Sequence, residues 1–112
     1  MVDEQTFRRD ADKALDQLKQ RLIDAEDYGG YETEENNGVL DVVFDAPKAK
    51  FVFTPNTPVR QIWISALSTS FKLDWTDGAF VLQKTGEALD VLTERLIREH
   101  TGDENYELLN RP

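Results

Sequence analysis

The sequence predicts an α+β fold: a two-layer sandwich in which two terminal helices pack on one face of a single antiparallel β-sheet. Three observations carry that prediction. Apolar residues recur at helical spacing near both ends, they alternate singly through the middle, and the links between the alternating runs are short. Short links favour antiparallel pairing, because parallel strands need long crossovers. At 112 residues the chain reads as one domain, residues 1–112, long enough to bury a modest core without metal or disulfide staples.

Phe7, Ala11, Ala14, Leu15, Leu18 and Leu22 follow helical steps, predicting one amphipathic helix from Asp3 to about Asp27, roughly 35 Å long. Tyr28-Gly29-Gly30 should break it, since glycine tolerates the left-handed geometry of a helix end. Tyr31 to Glu35 reads as a short strand, and Asn36-Asn37-Gly38 as a hairpin turn. Val39 to Phe44 follows with Leu40, Val42 and Phe44 inward. After a turn at Asp45-Ala46-Pro47, Lys48 to Phe53 alternates Ala49, Phe51 and Phe53 against two lysines. Thr54-Pro55-Asn56-Thr57-Pro58 should interrupt that strand, because proline cannot donate to a ladder.

Val59 to Ala66 is the expected central strand. Ile62, Ile64 and Ala66 share one face and Gln61, Trp63 and Ser65 the other. The aliphatic set belongs to the core, which leaves a large aromatic on the outer surface beside an amide and a hydroxyl, the kind of exposure that marks a recognition site. A polar loop near Ser68-Thr69-Ser70 leads to a strand with Phe71, Leu73 and Trp75 inward, a turn at Thr76-Asp77-Gly78, and a last short strand holding Phe80 and Leu82. Thr85 is the expected N-cap of the second helix, with Glu87 in its first turn, Leu89, Leu92, Leu96 and Ile97 facing inward, and Gly102 stopping it. Tyr106, Leu108 and Leu109 are too apolar for a free tail and should fill the groove between the helix ends.

With 22 acidic and 13 basic residues the formal charge is −9, which disfavours nucleic acid and anionic membranes and favours cations or basic proteins. There is no cysteine to hold a cluster or persulfide. No apolar run has the length of a membrane helix, and Met1-Val2-Asp3-Glu4 lacks the order of a signal or transit peptide, so a cytoplasmic protein is expected.

Asp12, Asp16, Gln20, Asp24 and Asp27 step along one polar face of the first helix, and Glu26, Glu32 and Glu34 lie where that face should meet the first strand. Oxygen donors alone suit hard cations such as ferric iron. Most acidic helix faces are simply solvated, so the pattern alone does not establish a metal site.

Asn37-Gly38-Val39-Leu40, Pro58 to Ser65 with its Gln61-Ile62-Trp63 core, Asp74-Trp75 and the Gly86-Glu87 helix start together resemble the frataxin family, in its bacterial CyaY branch. The resemblance covers nearly the whole chain. It implies an iron-binding regulator of iron-sulfur cluster assembly that docks on the cysteine desulfurase and scaffold protein. Iron would be weakly bound at Asp12, Asp16, Asp24, Glu26, Asp27, Glu32 and Glu34, and Arg60, Gln61, Trp63, Ser65 and Lys72 would meet the partner. Lys19, Gln20 and Ile23 stand where many relatives carry carboxylates, Arg8 where some carry histidine, and Lys13 and Arg21 dilute the ridge further. Val59 replaces a residue that is polar in part of the family. A monomer is expected, with iron-dependent assembly left open.

Catalysis has little support in the sequence. The single histidine, His100, sits on the inner stripe near a helix C-terminus, where a structural role is the common one, and no pocket or nucleophile is evident. Two alternatives to the regulator remain: an acidic interaction module that binds no metal, and surface iron oxidation or storage on the ridge. Paired carboxylates such as Asp24 and Asp27 could in principle do acid-base work.

Overall fold

Helix α1 (Glu4–Asp24) begins where the Asp3 carboxylate accepts a hydrogen bond from the Thr6 backbone N–H at 2.7 Å, occupying a donor that the helix cannot pair internally. The computed structural model describes residues 3–45 and 48–108. The predicted turn at Ala46-Pro47, the start Met1-Val2 and Leu109 lie outside these described residues.

Phe7, Ala11, Leu15, Leu18 and Leu22 of α1 are buried, as the helical spacing predicts. The helix does not continue to Asp27. It stops at Asp24, Ala25 turns the chain with its methyl group buried, and a single further turn, α2 (Glu26–Gly29), follows. The break directs the Glu26 carboxylate onto the first strand, where it accepts the Thr33 N–H at 2.6 Å. Gly30, at φ 73°, ends this turn in the left-handed conformation.

Seven strands follow as a meander, each antiparallel to the next and in chain order across the sheet: β1 (Tyr31–Asn36), β2 (Val39–Asp45), β3 (Lys48–Asn56), β4 (Gln61–Ala66), β5 (Thr69–Thr76), β6 (Ala79–Leu82) and β7 (Glu87–Ala88). Asn37 and Gly38, with φ 53° and 83°, form the predicted two-residue turn. Strand β3 runs through Pro55 to Asn56 where an interruption was expected. Its pairing with β2 ends at Leu40↔Phe53, so Pro55 has a neighbour on the β4 side alone and its missing N–H costs the ladder little. The central strand starts at Gln61, two residues later than expected, because Thr57–Val59 form a 3₁₀ turn and Arg60 adopts φ 56°.

The polar loop predicted at Ser68-Thr69-Ser70 is shorter than expected. Leu67 and Ser68, both at positive φ, make a two-residue turn, and Thr69 and Ser70 already pair in β5. Thr85 does not cap a helix. It lies in a turn and exchanges hydrogen bonds with Glu87, whose strand β7 pairs with β6 and adds the seventh strand to the sheet. Helix α3 (Leu89–Thr101) starts only after that, with Ala88 at its N-cap position.

Helices α1 and α3 pack on one face of the sheet. Leu92, Leu96 and Ile97 of α3 meet Leu40, Val42, Phe44, Phe51, Phe53, Ile62, Ile64 and Leu73 in one continuous core. Tyr106 and Leu108 are buried and close the layer, as the apolar tail predicts. The Tyr31 hydroxyl donates to the Leu22 carbonyl at 2.7 Å and lies 2.9 Å from the Tyr106 hydroxyl. His100 packs edge-on against Phe44, with ring centroids 4.6 Å apart, so the inner-stripe histidine has an aromatic partner that the sequence did not reveal.

Candidate functional site

Alternation along β4 places Gln61, Trp63 and Ser65 on the sheet face opposite the helices, while Ile62, Ile64 and Ala66 are buried beneath them. Register then brings Asp74 opposite Gln61 and Lys72 opposite Trp63. The side chains are tied in sequence. Trp63 Nε1–H donates to Gln61 Oε1 at 2.8 Å, Gln61 Nε2 donates to Asp74 Oδ1 at 2.9 Å, and Lys72 Nζ lies 4.8 Å from the indole centroid. The last is a cation–π contact that holds the ammonium on the aromatic face. Trp63 is half-buried and its N–H is occupied, so the site offers contact area and a fixed positive charge.

Arg60 stands apart from this array. It precedes the strand, and its guanidinium turns back onto the carbonyls of Thr57 and Pro58, with Nε buried and without a hydrogen-bond partner. Ser65 is exposed on β4, opposite Ser70.

The predicted acidic ridge is divided between two faces. Asp12 and Asp16 are exposed on α1, and Asp24 ends that helix. Asp27 and Glu26 belong to α2, beyond the break at Ala25, so the helical step from Asp24 to Asp27 does not hold. Glu26 is engaged with Thr33. Glu32 and Glu34 sit in β1 opposite Val43 and Asp41, on the outer face, because Tyr31 is buried on the helix side and strand side chains alternate. The β1 carboxylate that does face α1 is Glu35, which the sequence reading omitted. It accepts an ion-paired hydrogen bond from Lys19 at 2.9 Å. That bond, helped by the nearby Asp16 charge, raises the Lys19 pKa above its ordinary value. Alternation counted from an inward Tyr31 would have identified Glu35.

Asp41 is a second omission. It lies opposite Glu34 and 3.5 Å from Lys50 Nζ, with its Oδ1 buried and without a hydrogen-bond partner. Among the described residues no group of three or more carboxylates or imidazoles is placed to hold a metal ion. A shallow hollow of about 390 Å³ lies between α1 and the β1–β2 turn, lined by Asp12, Asp16, Lys19 and Glu35. The sequence showed no pocket, yet the helical layer contains this hollow and a second cleft, because α1 does not cover the whole sheet.

No described helix is long and apolar enough to cross a membrane. The family model described as Frataxin-like domain matches residues 1–103. A Pseudomonas putida protein named iron-sulfur cluster assembly protein CyaY is 32% identical over 93 residues, covering 80% of this chain and 84% of that protein. A Pseudomonas entomophila protein of the same name is 33% identical over 92 residues, covering 80% and 82%. Among solved structures, a frataxin from Psychromonas ingrahamii superposes with a TM-score of 0.71 at 16% identity, covering 91% of this chain and 94% of that one. Yeast frataxin gives 0.69 at 24% identity, covering 89% and 85%. These likenesses and the sandwich of two long helices on one antiparallel sheet agree, and the chain belongs to the frataxin family.

Proposed function

We propose that this protein serves iron-sulfur cluster assembly as a non-enzymatic, cytoplasmic factor that docks on the cysteine desulfurase and scaffold protein through the outer sheet face around Trp63. The role in assembly is supported by the names of the relatives. The observation that carries the docking surface is the linked set Trp63, Gln61, Asp74 and Lys72, whose side chains are already held in place before any partner arrives. Pre-ordered groups lose less entropy on binding, so the aromatic contact is retained as affinity. Ser65 extends the same face, and Arg60 borders it.

Iron enters this reading as cargo. Asp12, Asp16, Asp24 and Asp27 on the helices, and Glu32 and Glu34 on β1, supply hard oxygen donors that would attract ferrous or ferric ions weakly and in a salt-sensitive way. A second reading, an acidic interaction module without metal, is favoured by the Lys19–Glu35 ion pair and by the absence, among the described residues, of a convergent ligand group.

Amide NMR spectra recorded during ferrous and ferric titration, and again with the desulfurase, test both surfaces. The expected result is desulfurase-dependent shifts across β4 and β5 and cation-dependent shifts in α1, α2 and β1. A desulfurase complex that leaves β4 and β5 unmoved overturns the docking surface. Silence of the acidic residues under millimolar iron, with docking intact, selects the module without metal.

A further inference from the structure

The second cleft lies on the opposite side of the molecule from Trp63, where α1, the β5–β6 hairpin and the start of α3 leave part of the sheet uncovered. It measures about 300 Å³, the lower end of the range that holds small organic ligands. Its floor is apolar: Ala14 and Leu18 of α1 face Trp75 and Phe80, whose rings meet edge-on with centroids 5.0 Å apart. Trp75 is half-buried and lines the cleft, and none of the described residues covers it there.

The rim is polar and unevenly satisfied. Arg21 closes one end by pairing with Asp90 at 3.0 Å, and the other Asp90 oxygen accepts the Val91 N–H at 2.9 Å, so both charges there are engaged. Lys13 is different. It lines the cleft two helical turns from Arg21 and makes no ion pair among the described residues. Asp10, the other acid on this rim, is 3.7 Å from Arg9. The start of α3 also borders the cleft, and there the first-turn Asp90 already meets the helix end, which leaves Lys13 as the cation of the rim without an ion pair among the described residues.

We propose that this cleft is a binding site for a small amphipathic carboxylate, with an aromatic or aliphatic body on Trp75, Leu18 and Phe80 and its anionic group at Lys13. The volume admits one ring or a short chain. An apolar floor with one uncompensated cation on its rim selects an anion that carries an apolar body, above either a simple inorganic anion or a neutral hydrocarbon. The site is independent of the docking face, since Trp63 and Trp75 lie on opposite faces of the sheet.

4-Phenylbutyrate is the probe, and its neutral amide is the control. Titration of the whole chain, followed by amide and indole NMR, should give saturable shifts at residues 13–21, 75–80 and 88–90 and at the Trp75 indole, with the Trp63 indole unmoved. The amide should bind at least tenfold more weakly, and Lys13→Gln should reduce carboxylate affinity by a similar factor. Lys13 is exposed, and the variant's unchanged amide spectrum outside the cleft verifies that it is folded. Absence of saturable shifts at these positions up to about 10 mM probe, shifts confined elsewhere, or equal binding of acid and amide overturns the proposal.

Discussion

Trp63 and Gln61, two residues apart on one face of β4, are joined by a hydrogen bond of 2.8 Å from the indole N–H to the amide oxygen. Because Gln61 also donates to Asp74, the bond fixes the indole against its own strand, with the Lys72 ammonium held on the ring.

That arrangement separates docking from folding. Trp63→Ala removes an outer-face contact and one hydrogen bond and should cost no more than about 1.5 kcal/mol. Trp75→Ala removes a half-buried ring packed against the core and Phe80 and should cost about 2 to 3 kcal/mol. Urea denaturation compares the two, and a pull-down with the desulfurase should fail for folded Trp63→Ala alone. Equal destabilisation would contradict the assignment of faces.

Lys19 acts as an internal counter-ion on the acidic side of α1. Lys19→Gln removes the ammonium that pairs with Glu35 and lies near Asp16, so cations should saturate the α1 resonances at several-fold lower concentration than in the wild type. Asp12→Asn, which removes an exposed carboxylate, should shift the curve the other way. Indistinguishable titrations of wild type and Lys19→Gln would show that these carboxylates do not collect cations.

Glu26 is expected to be structural where Glu32 is not. Its carboxylate holds the Thr33 N–H at the sheet edge, so Glu26→Ala should cost about 1 to 2 kcal/mol, the scale of losing a charged acceptor from a backbone donor. Glu32→Ala, exposed on β1, should stay within about 0.5 kcal/mol of the wild type. Thermal or urea unfolding of both variants distinguishes the roles.

Glu87 and Arg95 give a pH signature. Hydrogen bonds from Arg95 hold the Glu87 carboxyl below its ordinary value of 4.5, with Thr85 assisting. A carboxyl lowered on folding stabilises the protein above its unfolded pKa and loses that effect as pH falls through the folded one. Wild type should therefore exceed Glu87→Gln in stability at neutral pH by up to about 1 kcal/mol, since the pair is partly solvated. The difference should begin to shrink near pH 4.5 and vanish below it. A gap that persists in acid would assign the effect to packing.

The sequence by itself determined the α+β sandwich, the buried stripes of α1 and α3, the Asn37-Gly38 turn and the outward face of Trp63. Each follows from a period of 3.6 or 2, or from one turn signal, and these act within a few residues. Only the tertiary structure decided where Glu26, Glu35 and Thr85 work. Whether α1 stops at Asp24, whether Thr85 caps a helix or a turn, and which β1 carboxylates face Lys19 depend on which distant backbone group or charge lies opposite. The cleft under Trp75 is of the same kind. It is bordered by α1, the β5–β6 hairpin and the start of α3, and no local pattern in any one of these encodes its spacing from the others.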